Sequence, residues 1–474
     1  MRDEFDPFDP FFPSDHNRTL IDRFERMMEE GHHTFFDVEE FEEILDYYMD
    51  ERSDSKALEV LQIAKQQHPQ TAEIKIREAE VLASIGKPED GLHILEEVER
   101  YEQYNTDLLL TKASILSQMG MGELALDTLK RAVHLVSEKE EKIEILLSIS
   151  FELQLQGKIN QAIEYIKEVL RIAPEQEDAF YELSYCFEAS NNSEEAVEFY
   201  SNFIESRPYS EAAWYNLGVA YADLKLFEKA IESFEYALVI DESMFSAKFN
   251  MANCYATLER YDKAIELYNE VRENDIFESL AFYYIGECFE KLKDYSSAEK
   301  YYNLALQKDA QIGGAFMGLA SIYNFRGELT KSMKFIRKAL EIEPSNTEFW
   351  YNLAETEEKL ELFEEAKETY DKMLELGVND QEIYLRYSAL LFESNGLSEA
   401  ATILEKGINS HEENADFYYR FAAYLLKSGK SADAHDILAL ALSTDYDKLN
   451  TFFEYMPEAE NVDFVIALVS EFKN

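Results

Sequence analysis

Cations, cysteines and prolines are scarce in this chain of 474 residues, and each scarcity narrows what the protein can be. Lys and Arg total 45 against 96 Asp and Glu, a formal net charge of −51. Phosphate backbones and anionic lipid surfaces are held by Lys and Arg, so neither nucleic acid nor a membrane is an expected partner. Basic partners and high solubility are favoured instead. Cys186, Cys254 and Cys288 are the only cysteines, and an odd count fits reduced thiols. The opening stretch MRDEFDPFDPFFPSDH has neither the basic segment nor the apolar core of a secretory signal. No apolar run approaches the ~20 residues of a membrane span. The expected compartment is the cytoplasm. Glycine-rich phosphate loops are missing, the eight histidines show no HExxH spacing, and His32-His33 lies beside a loop without cysteines. No metal, cofactor or catalytic group is expected, and the chain is not expected to be an enzyme.

What is abundant is periodic. Hydrophobic residues make up 46% of the chain and aromatics 14%, enough for an ordered core. The stretch 211–244 reads EAAWYNLGVAYADLKLFEKAIESFEYALVIDESM. Counting Glu211 as position 1, Trp214, Leu217, Gly218, Tyr221, Ala230, Phe234 and Ala237 stand at positions 4, 7, 8, 11, 20, 24 and 27. This spacing, Trp-x2-Leu-Gly-x2-Tyr followed by Ala-x3-Phe, resembles the signature of the tetratricopeptide-repeat (TPR) family. The resemblance implies an all-α fold, a right-handed superhelical α-solenoid built from antiparallel helix pairs.

The same register extends over most of the chain. Repeats are expected at 38–71, 72–105, 106–142, 143–176, 177–210, 211–244, 245–278, 279–312, 313–346, 347–380, 381–414 and 415–448. Only 106–142 exceeds 34 residues, by three placed in the turn near Ser137. Position 20 is small in all twelve, being Ala except for Gly91 and Ser332. Position 8 is Gly, Ala or Ser in every repeat but the first, where Leu45 stands. Position 24 is always aliphatic or aromatic, as in Leu61, Tyr200, Phe234, Tyr302 and Leu438. Small faces large wherever two helices must approach closely. Gly86, Gly120, Gly157, Gly327 and Gly429 at position 15 mark the turn between the helices, and Pro69, Pro174, Pro208 and Pro344 at position 32 end the second helix. Repeat 72–105 departs from the pattern, because Lys75 and Glu78 replace apolar residues; a local shift or looser packing is expected there. Outside the array, 1–18 is expected to be an extended or disordered tail carrying FDPFDPFFP. Residues 19–37 form a capping helix, and 449–474 are C-terminal capping helices, the last starting near Asn461. The three cysteines share position 10, a core-facing place, so buried inert thiols are expected.

In the TPR family the first helix of each pair lines the concave face, which the resemblance assigns to positions 2, 5, 6, 9, 12 and 13. These lie on one helical stripe. Position 5 carries Tyr181, Tyr215, Phe249, Tyr283, Tyr351 and Tyr419; position 6 carries Asn216, Asn250 and Asn352; Asn253 adds a position 9. In peptide-binding TPR domains such asparagines hold the backbone of an extended ligand, since an amide both donates and accepts. Aromatics anchor side chains at low entropic cost. The expected contact residues are Tyr181, Tyr215, Asn216, Phe249, Asn250, Asn253, Tyr283, Tyr284, Glu287, Tyr351 and Asn352. The family's carboxylate clamp is missing, since no repeat has Lys at position 5. The first repeat instead presents Glu39, Glu42, Glu43, Asp46 and Asp50, an acidic patch suited to a basic segment. Across all repeats the six positions hold 21 acids and 6 bases, where average composition gives about 15 and 7.

These features point to a non-enzymatic scaffold or adaptor whose concave groove binds an extended, basic segment of another protein. The alternative is a structural subunit that self-assembles, or builds a fixed complex, through its end helices. Phe464, Val465, Ile466, Leu468 and Val469 in the last helix would carry a homo-oligomer contact.

Overall fold

The protein is described by a computed structural model covering residues 15–31, 33–394, 396–411 and 413–473, and among these all regular structure is helical. The Phe-Asp-Pro tail up to residue 14 lies outside the described residues. A helix runs from Asp15 to Glu30, beginning ahead of the expected Thr19. Helices then come in pairs in the expected register. Val38–Asp50 with Asp54–Gln67 forms the first pair, Glu211–Asp223 with Phe227–Ile240 the sixth, and Ala415–Lys427 with Ser431–Thr444 the twelfth. The chain is an all-α array of antiparallel helix pairs, divided into two compact units, Met1–Glu242 and Ser243–Asn474.

Polar residues just before position 1 open several first helices. Ser210 Oγ accepts from the Ala213 N–H at 3.3 Å, Asn105 Oδ1 from the Leu108 N–H at 3.0 Å, and Asp37 forms a capping box with Glu40. Each satisfies a backbone donor that a helix start leaves without a partner. First helices close on a left-handed residue at position 15. The five glycines expected there have positive φ, and so do Arg52, Asn191, Lys225, Glu259, Lys293 and Glu361. In the sixth repeat the Lys225 N–H donates to Ala222 O and the Leu226 N–H to Tyr221 O, both at 2.8 Å, which is the Schellman pattern. The turn thus recurs where no glycine announces it.

Packing follows from how near the two helices come. Positions 8 and 20 of a repeat face each other. A Cβ on Gly91 would lie 2.6 Å from Ala79 O, and Ser332 Oγ donates to Ala320 O at 2.8 Å. The large residue at position 24 lies over position 8: a Cβ on Gly218 would meet the Phe234 ring at 2.6 Å, and one on Gly286 the Tyr302 ring at 2.7 Å. Ala230, Phe234 and Ala237 are fully buried. Cys186, Cys254 and Cys288 are buried as expected, and burial pushes their thiols up to about 11, 11 and 12.

Three irregularities have identifiable causes. In Ala72–Ser84, Ile74 and Val81 join the apolar cluster of the N-terminal helices, whereas Ile76, Ala79 and Ala83 join the next cluster. With Lys75 and Glu78 unable to enter a core, this helix serves two cores with different sides. The three additional residues of 106–142 lengthen a helix rather than a turn, since Lys139–Leu155 has 17 residues. Glu140 and Glu141 in its first turn suit the positive end of the helix dipole. At the C-terminus Pro457 starts a 3₁₀ segment through Asn461, so Val462 rather than Asn461 precedes the helix Asp463–Phe472. Val465 and Leu468 of this helix are buried, Phe464 and Val469 pack against the same core, and Ile466 remains exposed. Most of the apolar surface expected to reach another copy is therefore spent on the cap itself.

Ala230→Leu is expected to force this helix pair apart and cost roughly 1–3 kcal/mol, read as a lower melting temperature. Lys225→Gly is expected to act the other way. Relief of a left-handed L-residue, about 1–2 kcal/mol, outweighs the backbone entropy glycine loses, about 0.5–1 kcal/mol. A gain of up to about 1 kcal/mol in denaturant unfolding checks it.

Candidate partner-binding face

In the first unit, the designated positions of the first helices line a continuous depression. Its narrower end, about 350 Å³, is walled by Glu42, Asp46, Glu73, Glu80 and Asp107 around Arg77. Arg77 pairs with Asp46 and, at 2.5 Å, with Glu80. The wider part, about 900 Å³, continues past Leu110 and Thr111 to Leu147, Ser148 and Phe151. Glu80, Glu144, Glu152, Asp178 and Glu182 line it, and no Lys, Arg or His does. Glu152 is buried beside Gly122, the first residue of Gly122–Val133, and accepts from Gln156 Nε2 at 3.1 Å. The positive end of that helix offsets its charge. Glu144 and Asp178 have no ion-pair partner among the described residues. Glu182 accepts from Gln154 Nε2 at 2.7 Å, tying two neighbouring first helices together.

Large apolar side chains stand exposed on this face. Tyr181, expected as a contact residue, is 72% exposed. Phe151, Leu155 and Tyr185 are 58%, 62% and 59% exposed and were not among the expected contacts. They occupy positions 9, 13 and 9, so aromatic and aliphatic residues at positions other than 5 were the signal that would have found them. In the first repeat Glu39 and Asp50 are exposed, Glu42 and Glu43 half-buried, and Asp46 faces Arg77. Burial pushes the Glu42 carboxyl above the usual glutamate range; Arg77 opposes this, and the charges of Glu73, Asp107 and Glu39 add to it.

The other expected residues of this unit are partly consumed by packing. The Tyr215 ring lies 5.8 Å from that of Phe234. Asn216 is only 6% exposed and donates from Nδ2 to Ala212 O at 2.9 Å.

In the second unit the expected residues form a network among themselves. Phe249 packs against Phe277, Tyr284 and Tyr268 at 5.3, 5.5 and 5.7 Å. Tyr268 and Tyr284 stack at 5.6 Å, and Tyr268 Oη donates to Asn253 Oδ1 at 2.6 Å. Tyr283 contacts Tyr284 at 4.9 Å and donates to Glu287 Oε1 at 2.7 Å. Asn250 is half-buried on the same helix as Phe249 and Asn253. Further on, Tyr351 Oη donates to Glu382 Oε1 at 3.0 Å and accepts from Arg386 at 2.8 Å, and Asn352 Nδ2 donates to Glu348 O at 2.8 Å. Tyr419 is buried and donates to Asp445 O at 2.8 Å. Burial raises the Glu287 carboxyl above its ordinary range, against the lowering effect of the Tyr283 hydrogen bond. Among the described residues no helix is long and apolar enough to cross a membrane.

Residues 211–244, 153–211 with 249–311, and 314–346 with 347–376 match three models of the tetratricopeptide repeat. No curated protein matches the chain. Among solved structures, a chain of the crystal structure of the APC/C hetero-tetramer Cut9–Hcn1 is similar over 90% of this chain and 93% of its own, with 13% identity and a TM-score of 0.40.

The raised pKa of Glu287 fixes a sign. Its ionised form costs stability in the folded state, so the protein gains stability as pH falls through the folded pKa toward the ordinary value near 4.5. Glu287→Gln keeps an acceptor for Tyr283 and removes the charge. It is expected to stabilise Glu278–Lys291 at neutral pH and to lose that advantage in acid, as read by hydrogen exchange across that range.

Proposed function

Since the chain belongs to the tetratricopeptide-repeat family, whose models match it between residues 153 and 376, we propose that it is a non-enzymatic interaction scaffold holding an extended, basic segment of another protein. The observation that carries this reading is the depression on the first helices of the first unit. It is long, open and lined by five carboxylates without a cation in its wider part. Glu144 and Asp178 have no internal ion-pair partner among the described residues, so the charge a ligand must supply is positive. Tyr181, Phe151 and Tyr185 give the apolar contact that an acidic surface alone lacks.

The second unit supports a lesser part. Its Phe249, Tyr283 and Tyr284 are held by one another and by Tyr268, and Asn253 is engaged by Tyr268. Residues so occupied stiffen a binding face more readily than they reach for a ligand. Assembly through the C-terminal end is less favoured, because Ile466 is the one large apolar residue of that helix left exposed.

Binding is expected to be electrostatically assisted. Charges more than about 10 Å apart are screened at 0.1 M ionic strength, so affinity for a basic segment should fall as salt is raised from a low value, mostly through slower association. Replacing Glu144 by Gln and Asp178 by Asn together removes two exposed partners worth about 0.2–1 kcal/mol each. Affinity should fall roughly 2- to 30-fold with an unchanged melting temperature, measured by titration calorimetry and thermal unfolding. A complex indifferent to both salt and the double substitution would overturn the acidic-face reading.

A further inference from the structure

We infer that the wide part of the first-unit depression selects arginine over lysine in the segment it binds. This rests on the proposed function and specifies its ligand. The side chains are arranged by helical spacing. On Glu177–Ala189, Asp178, Tyr181, Glu182 and Tyr185 fall at i, i+3, i+4 and i+7, a single stripe of alternating carboxylates and rings. The adjoining helix Lys139–Leu155 brings Phe151 and Glu144 to the same depression, and the Gln154–Glu182 hydrogen bond of 2.7 Å holds the two helices side by side there. Phe151, Tyr181 and Tyr185 are each more than half exposed, and no cation lines the wide part of the depression.

A carboxylate beside an exposed ring face is better matched by guanidinium than by ammonium. The guanidinium is planar and weakly hydrated; it stacks on a ring and donates from its edge to a carboxylate at the same time. An ammonium is a compact, strongly hydrated charge that gives up water to meet a ring. A purely apolar segment fits worse than either, because covering Phe151 and Tyr185 with it would desolvate Glu144, Asp178 and Glu182 without pairing them. Charge complementarity therefore fixes a cation, and the rings fix which one.

The test uses the full chain and two fluorescent Gly/Ser-spaced peptides of equal length and charge, one carrying Arg and the other Lys, titrated at low and moderate salt. The Arg peptide is expected to bind about tenfold more tightly. Phe151→Leu, Tyr181→Leu and Tyr185→Leu together should erase that difference while leaving weaker, salt-dependent binding of both peptides. Tyr185→Phe, which keeps a ring, should preserve the preference. All three positions are exposed, and unchanged thermal unfolding of the variants confirms folding. Equal affinity of the two peptides for the unaltered protein overturns the selectivity and leaves the basic-segment reading standing. An Arg preference that survives loss of all three rings overturns it as well. If neither peptide binds even at low salt, the basic-segment reading falls with it.

Discussion

The structure depends on how closely two helices of one repeat can approach. From the second repeat on, positions 8 and 20 carry nothing larger than a methyl or hydroxymethyl group; the first repeat, with a buried Leu45 at position 8, is the exception. Gly91 against Ala79 O and Ser332 hydrogen-bonded to Ala320 O show the limit. Once the helices are that near, the position-24 side chain has one place to go, over position 8, as Phe234 does at Gly218 and Tyr302 at Gly286. The position 8–20 contacts lie within one repeat, while the Tyr302 ring also meets Gly318 of the next, so the constraint is met within repeats and between neighbours and recurs down the chain. The first helix is then free to turn its remaining face outward.

Sequence periodicity made the helix pairs legible because this constraint selects residue size at fixed intervals. Lys225 and Glu259 were not legible as left-handed turn residues, since their side chains tolerate that conformation at a cost and give no compositional sign of it. The candidate site was less legible still. Tyr283 and Tyr181 share position 5, yet one donates to Glu287 and packs on Tyr284 while the other stands in solvent. The difference lies in the surroundings: Tyr283 packs against Tyr284 and Tyr302, whereas Tyr181 stands 72% exposed between Asp178 and Glu182 on its helix. Asn216 likewise has the residue type of a ligand-holding amide but gives its donor to its own helix. Residue type at one position predicts packing only when the adjacent repeats are regular, and here they are not.

The net charge of −51 also becomes informative only when placed. Many acids are matched on the spot, as Glu99 is by Lys112 and Arg131 at 2.6 and 2.8 Å. Burial works to raise the Glu99 carboxyl, but those two hydrogen bonds outweigh it and hold the group below its usual range. Glu144 and Asp178 stand in contrast, on the same unit but without such partners among the described residues. The excess of acid is thus not spread evenly as a solvating coat; part of it gathers where a depression and exposed rings already exist.

The helix Ala72–Ser84 serves two apolar clusters at once, Ile74 and Val81 on one side and Ile76 and Ala79 on the other. A shared helix with two charged residues where a core residue belongs is a seam, and the helices before it can open as a cooperative block while the cluster beyond keeps its own contacts. That block carries Asp46, whereas Glu80 and Asp107 lie on and beyond the seam, and all three border the narrow end of the depression. A cationic segment laid across them would bind only the closed form. By mass action it would raise the protection of residues 38–71 by a factor of one plus the ratio of free ligand concentration to Kd, so the order of the N-terminal repeat reports on the filling of the groove.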